Sequence, residues 1–389
     1  MNLLDILIVV VLLYQAYFWS QKGLVRGLFS LGGFWLGLVI GAWLAPELIG
    51  VAGDEPGVQM LFAFALILGL AVTGQAAGQA AGARLAYLTA RLRLEKVDSV
   101  LGASFGAVMT LLIVWLGASI VSGMPMREIN RQISQSEIIH ALNDSLPPAP
   151  EVLGKIAGLI NTDGFPQVFS GLEPRPVEPV DPPTSGEVAA ALAAAGRSTV
   201  RVEGPTCDGI ATGSGFVAGE GLVVTNAHVL AGVTNPTIVD VDGTRAATPI
   251  LFDAELDVAI LRTVDLAGEP LAIDAALLAR GTTATVLGYP GGGPLEADAS
   301  AVLRQLDARG RNIYGDGMVT RSVYELQTEI DQGNSGGPVV RSDGTVVGLI
   351  FAKSVGYDNV GYALTADEFA PLVERARTLT APVSTGRCT

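Results

Sequence analysis

DQGNSGGP, residues 331–338, is the stretch on which the reading of this chain turns. Three glycines crowd one serine in a short polar run between apolar segments. A serine hydroxyl is a weak nucleophile and needs a neighbouring base, which a third group must orient. An acyl-transfer site also needs backbone N–H groups aimed at the developing oxyanion. Residues without side chains let a loop turn inward and let a substrate backbone come close. Ser335 is therefore the candidate nucleophile. The oxyanion site is assigned to Gly333, Asn334 and Ser335, with the N–H groups of Gly333 and Ser335 as donors. Gly336 and Gly337 clear space behind the nucleophile. The competing reading is a plain glycine-rich hairpin turn, so other residues must decide.

The chain holds only two histidines. His228 stands in VVTNAHVL (223–230), at the end of a β-branched run, where a side chain can point into a cleft. Taken alone it reads equally as a structural histidine. His140 lies far from any nucleophile in sequence and reads as a surface or packed residue. The orienting acid must be fixed, so it belongs on an apolar, partly buried stretch. DAELDVAIL (253–261) supplies Asp257, followed at once by an apolar run. Asp253 competes from the turn before, where it should be solvated. The order His228, Asp257, Ser335 removes most of the hairpin alternative. From residue 198 onward the pattern is short strands bounded by turn signals, which predicts an all-β barrel or sandwich. Residues 365–379 carry helical periodicity and close the domain.

The first third is apolar and glycine-rich. Stretches 3–19, 24–44, 58–81 and 100–121 each approach the ~20 apolar residues that span a bilayer core. A cleaved signal peptide is the alternative for the first. It lacks a basic n-region, holds Asp5, and has no small-residue cleavage site after it. Lys22 and Arg26 mark the first connection; Arg84, Arg91, Arg93 and Lys96 mark the third. The second connection, PELIGVAGDEPG (46–57), carries only acidic charge. The positive-inside rule then puts the first and third connections in the cytoplasm and everything after the fourth span outside. Gly74, Gly78 and Gly82 recur one turn apart, as do Gly33, Gly37 and Gly41, and Gly102 and Gly106. Small residues at that period predict close helix packing, with a pore as the alternative.

Between these halves, residues 126–143 predict an amphipathic helix ended by PPAP (147–150), and 151–160 a second. EPRPVEPVDPPTSG (173–186) is proline-dense and reads as a stiff, extended, protease-accessible spacer. Three parts follow: membrane helices at 1–122, a helical and proline-rich linker at 123–186, and the soluble domain at 187–389. Cys207 and Cys388 sit at opposite ends of the last part, where an extracytoplasmic location permits a disulfide clasp. A redox switch is the alternative use of that bond, and no ligand cluster around them suggests a metal.

KGLVRGLFSLGGFWLG (22–37) and VDSVLGASFGAVMTLL (97–112) resemble the colicin V production protein (CvpA) family of four-helix membrane proteins. TNAHV (225–229), DVAIL (257–261) and GNSGGP (333–338) together resemble the chymotrypsin-fold serine proteases, and GSGF (213–216) points to their HtrA/Deg branch. The joined architecture resembles the membrane-anchored acid-resistance serine protease (MarP) family of actinobacteria. The resemblance implies a four-helix, all-α transmembrane domain followed by an all-β, chymotrypsin-like double barrel of two six-stranded units. It implies His228 as general base and acid, Asp257 as its orienter and Ser335 as nucleophile. It also places Phe351, Ala352 and Lys353 of LIFAK beside the substrate, with Ile330 and Glu329 near the pocket base. The preferred residue on the acyl side of the cut bond, P1, stays open between a basic one and an aliphatic or small one. Two departures stand out. Asn334 replaces the aspartate that pairs with a new N-terminus in zymogen-activated relatives, and no PDZ-like module follows the closing helix.

The function expected is a membrane-anchored extracytoplasmic serine endopeptidase acting on proteins or peptides of the cell envelope, with a stress role implied by the resemblance. Its partners are those substrates and the lipid bilayer. A net charge of −14 without a basic patch argues against nucleic acid. No cofactor is called for. The rival is a CvpA-like transport or export protein carrying a protease-like sensor or latent domain.

Overall fold

In the computed structural model, residues 2–48, 56–91, 94–122, 126–146, 165–166, 168–175, 177–207 and 209–388 are described. The second linker helix expected at 151–160 lies outside them. The chain divides into two compact units, Met1–Leu116 and Gly117–Thr389.

The first unit is built from α1 (Leu3–Lys22), α2 (Leu24–Leu48), α3 (Pro56–Arg91) and most of α4 (Glu95–Val121). All four are long and apolar enough to cross a membrane. Asn2 caps α1 reciprocally with Asp5, which satisfies backbone N–H groups that the first turn leaves without a helical partner. The glycine stripes act as contact surfaces. A Cβ built on Gly33 would lie 2.2 Å from the carbonyl oxygen of Gly74, and one on Gly74 would meet Gly33 equally closely. Only glycine allows α2 and α3 that separation. Gly102 and Gly106 of α4 take the same role against α1, at Trp19 and Gln15.

The second unit takes in the end of α4 from Gly117 and continues with α5 (Arg127–Ser134) and α6 (Glu137–Ser145). The single helix expected over 126–143 is broken because Ser136 takes extended backbone angles and its side chain caps α6 through Ile139 N–H, 3.2 Å away. His140 is buried there, its Nε2 bonded to Ser134 O at 2.8 Å, as a packed histidine. After α7 (Ser185–Ala195) come thirteen strands. β1 (Thr199–Thr206), β2 (Gly209–Gly219), β3 (Leu222–Thr225), β4 (Thr237–Asp240), β5 (Gly243–Ala246), β6 (Thr248–Asp253) and β7 (Val258–Arg262) form a seven-stranded antiparallel sheet ordered β5-β4-β1-β2-β3-β7-β6. β8 (Thr283–Gly288), β9 (Glu296–Arg311), β10 (Met318–Gln327), β11 (Pro338–Val340), β12 (Val346–Lys353) and β13 (Val360–Thr365) close a six-stranded barrel. The six-stranded expectation thus holds for the second unit of sheet, whereas the first carries β5 as an added edge hairpin with β4.

Valine is the commonest buried apolar residue among those described, as a β-branched residue suits a pleated, packed surface. Val200, Val202, Val223, Ile238 and Leu261 fill one side of the sheet. Phe216, Ile250, Val286, Val339, Leu349 and Phe369 belong to a continuous core that joins its other side to the barrel. Phe369 sits on α9 (Ala366–Ala376), which closes the domain as expected. The segment read as a spacer lies bonded to the barrel. Gln327 pairs with Val180 through both amide atoms at 3.0 Å, and Arg304 and Arg280 hold the carbonyls of Arg175 and Glu178. Prolines remove donors from that segment but leave its carbonyls free to accept, which is how barrel arginines fasten it.

Candidate active site

β3 ends at Thr225, and a one-turn helix, α8 (Ala227–Leu230), follows at once. It carries His228. The turn joining β6 to β7 carries Asp257, and the loop joining β10 to β11 carries Ser335. Histidine and aspartate thus come from the sheet and serine from the barrel.

Asp257 is fully buried and accepts twice from the same residue. Its Oδ1 takes the backbone N–H of His228 at 2.8 Å, and its Oδ2 lies 2.7 Å from His228 Nδ1. That pairing fixes the ring and leaves Nε2 for the cleft. Asp257 holds φ at +61°, a left-handed conformation costly for a residue with a side chain. Two contacts hold it there. Asn226 Nδ2 donates to Asp257 O at 2.9 Å, and the buried guanidinium of Arg321, on β10, donates to Glu255 O at 2.8 Å. Burial pulls the Arg321 pKa down, while the charges of Asp257, Asp253, Glu368 and Glu255 hold it up. Asp253, the competing acid, instead caps its own turn through Glu255 N–H and Leu256 N–H.

The serine loop is shaped peptide by peptide. Gly291 N–H donates to Gln332 O at 2.6 Å. In a trans peptide the carbonyl and the next N–H point opposite ways, so Gly333 N–H is turned away from the Gly291 side. Ser214 Oγ donates to Gly333 O at 2.6 Å and accepts from Tyr289 N–H at 2.9 Å, while Ser214 N–H donates to Ser335 O at 2.7 Å. Among the described residues, the N–H groups of Gly333 and Ser335 meet no protein acceptor. Asn334, assigned to the oxyanion site with them, differs: its N–H donates to Asp331 O at 3.1 Å. Its side-chain amide lies 3.5 Å from Asp298, a carboxyl pushed up by burial and by Glu296 nearby. Gly333 has φ +100°, and a Cβ there would lie 2.3 Å from Tyr289 O. Gly336 has φ +84°, and a Cβ there would lie 2.1 Å from Ser214 O. Both positions require glycine. Ser335 Oγ makes no hydrogen bond among the described residues, an open arrangement that free enzymes show before substrate tightens the site.

Beside this loop is a cavity of about 250 Å³, lined by Glu329, Ile330, Asp331, Lys353, Ser354, Val355, Asp358 and Arg127. Ile330 and Lys353 therefore line it, with Glu329 exposed at its edge. Phe351 and Ala352 do not; both are fully buried in the barrel core, the Phe351 ring 5.9 Å from the Arg321 guanidinium. Cys207 and Cys388 are joined by a disulfide, Cα to Cα 6.4 Å. Among the described residues no group of acidic, histidine or cysteine side chains suits a metal ion. Sequence reasoning missed Tyr289, Gly291 and Arg321, and saw in Ser214 only part of a motif. The signal available for Ser214 was its placing between two glycines in GSGF.

A family model described as "Trypsin-like peptidase domain" matches residues 213–349, and one described as "Colicin V production protein" matches residues 4–147. "Serine protease Rv3671c" of Mycobacterium tuberculosis is 32% identical over 391 residues, covering 99% of this chain and 98% of that one. "Protease Do-like 1, chloroplastic" of Arabidopsis thaliana is 30% identical over 176 residues, 42% of this chain and 39% of its own length. The crystal structure of the Rv3671c protease in its active form matches at a TM-score of 0.53 and 36% identity, over 56% of this chain and 96% of that one.

Proposed function

The chain belongs to the family of membrane-anchored serine proteases that join a CvpA-like helical domain to a chymotrypsin-like peptidase domain, and from that premise we propose that His228, Asp257 and Ser335 are its catalytic triad. The observation that carries this is the double acceptance by buried Asp257 from His228, which leaves one ring nitrogen free as a base.

In the proposed reaction Ser335 Oγ attacks the scissile carbonyl carbon as His228 Nε2 takes its proton. The carbonyl oxygen becomes an oxyanion between the N–H groups of Gly333 and Ser335. The C–N bond then breaks, and the leaving amine takes the proton from His228. Water repeats the sequence on the acyl-enzyme, with the same base, and frees Ser335. Substrate backbone runs along the end of β12, and the P1 side chain enters the cavity lined by Ile330 and Lys353.

The protease domain is assigned to the outside of the membrane. The charge bias of the connections supports this, as does the disulfide, which an oxidising compartment maintains. Substrates are then proteins or peptides of the cell envelope, and the resemblance to acid-resistance proteases supports a stress role. A C-terminal alkaline phosphatase fusion should be active and a C-terminal green fluorescent protein fusion dark; the reverse pair would refute the assignment.

The triad is tested by labelling the detergent-solubilised chain with a fluorophosphonate probe. Wild type should label, and Ser335→Ala and His228→Ala should not. A folded, oxidised wild type that takes no label would favour a latent or sensor domain instead.

A further inference from the structure

The cavity beside the nucleophile loop has one wall from outside the sheet and barrel. Arg127, at the first turn of α5, lines it together with Ile330 and Lys353 and forms an ion pair with Asp358. Three further contacts hold the segment ahead of the domain against the 354–358 turn. Ser134 Oγ lies 2.8 Å from Tyr357 OH. Glu173 Oε1 accepts from Val355 N–H at 3.0 Å, and its Oε2 from Ser354 Oγ at 2.8 Å. A Cβ built on Gly356 would lie 3.8 Å from the backbone of Asn130 and Arg131, so α5 rests directly on that turn. The turn continues β12, along which the proposed substrate runs.

We propose that α5 is part of the substrate pocket, that the strap at Glu173 braces its 354–358 wall, and that Arg127 is a specificity-determining residue. This rests on the assignment of the cavity to the P1 side chain. Glu329, Asp331 and Asp358 set three carboxylates in the lining against the cations Arg127 and Lys353. Arg127 neutralises Asp358. Without it the pocket holds one more uncompensated negative charge, which favours a basic P1 side chain over an apolar one. The pair is largely exposed, so the effect is modest.

The test uses the full-length chain in detergent and peptidyl diphenyl phosphonate probes with Lys, Leu or Ala at P1. Each probe forms a covalent bond from phosphorus to Ser335 Oγ with loss of phenol. The reading is the labelling rate of the Lys probe relative to the faster apolar probe. Arg127→Gln should raise that ratio about threefold to tenfold. Asp358→Asn should lower it by a similar factor, and the double variant should return close to wild type. Arg131→Gln, whose partner Glu128 is on its own helix, should leave it unchanged. A flat ratio in Arg127→Gln overturns the proposal, as does an equal shift in Arg131→Gln, or a wild type that accepts the fluorophosphonate but none of the peptidyl probes. A wild type that refuses the fluorophosphonate too removes the triad assignment itself, and the pocket reading with it.

Discussion

Replacing Ser214 by alanine removes one hydroxyl, yet it strands two buried groups, the N–H of Tyr289 and the carbonyl of Gly333. Each costs about 1–3 kcal/mol when left unpaired, and relief comes from rotating the Gly333–Asn334 peptide. That rotation misplaces the proposed oxyanion loop, so Ser214→Ala should lower kcat by roughly tenfold to a hundredfold with little change in KM, since direct loss of one oxyanion donor costs about 10²–10³. A rise in KM with kcat unchanged would show that Ser214 acts on binding instead. Asp257→Asn should lower kcat by about 10⁴ through the wrong ring tautomer, with Tm near wild type, and an unaffected kcat would remove Asp257 from the triad. His228, Asp257 and Ser335, the proposed triad, could be nominated from the sequence because nucleophilic chemistry demands residue types that this chain offers sparingly, with only two histidines. Gly291 and Tyr289 were not, because they act through backbone amides whose partners meet only in the folded loop.

At the scale of elements, the strands were readable from β-branched runs, and β7 is buried from Val258 to Leu261 as its unbroken apolar run requires. The break between α5 and α6 was not, since apolar periodicity continues across it and only Ser136 marks the new start. Nor was the docking of the proline-rich strap, because carbonyls accepting from distant arginines leave no local trace. Arg321 is the bolt between elements: from β10 it holds the carbonyls of Glu255 and Arg311. Arg321→Met should cost about 2–4 kcal/mol by stranding them and should reduce activity beyond the loss of folded protein, because the Asp257 turn loosens. Glu173 gives the strap a pH dependence. Burial, foremost, raises its pKa above the ordinary carboxylate value despite the Val355 and Ser354 bonds. The folded state then binds the proton more readily than the unfolded one, so its contribution to stability grows as pH falls through the raised pKa and levels off below the unfolded value. The difference in Tm between wild type and Glu173→Gln should therefore shift in favour of wild type on acidification across that window. A difference independent of pH would show that Glu173 keeps an ordinary pKa.

At the scale of the whole molecule, the sequence places two cysteines 181 residues apart, and the peptidase domain uses them to fasten its last residues to its first hairpin. Cys207 ends the β1–β2 hairpin. The tail bearing Cys388 runs beside the sheet, with Val383 N–H donating to Pro249 O at 2.8 Å and Thr385 Oγ1 to Val233 O at 2.9 Å. Gly232, in the turn after the helix of His228, packs against the disulfide so closely that a Cβ there would lie 2.2 Å from Cys388 Sγ. Closing so long a loop removes much of the freedom of the unfolded chain, and the entropic model puts the gain at about 3–5 kcal/mol. The double variant Cys207→Ser, Cys388→Ser should therefore melt on the order of 10 °C lower than the oxidised wild type. Reduced wild type should match the variant. The bond reaches the His228 turn through packing on Gly232 and through hydrogen bonds of the tail, Gly232 N–H to Thr385 O at 3.2 Å among them, all of them away from the His228 ring, so fluorophosphonate labelling of the variant should persist at low temperature and fail earlier on heating. Labelling abolished at every temperature, in protein shown to be folded, would mean that the disulfide sets the geometry of the site and not only its stability.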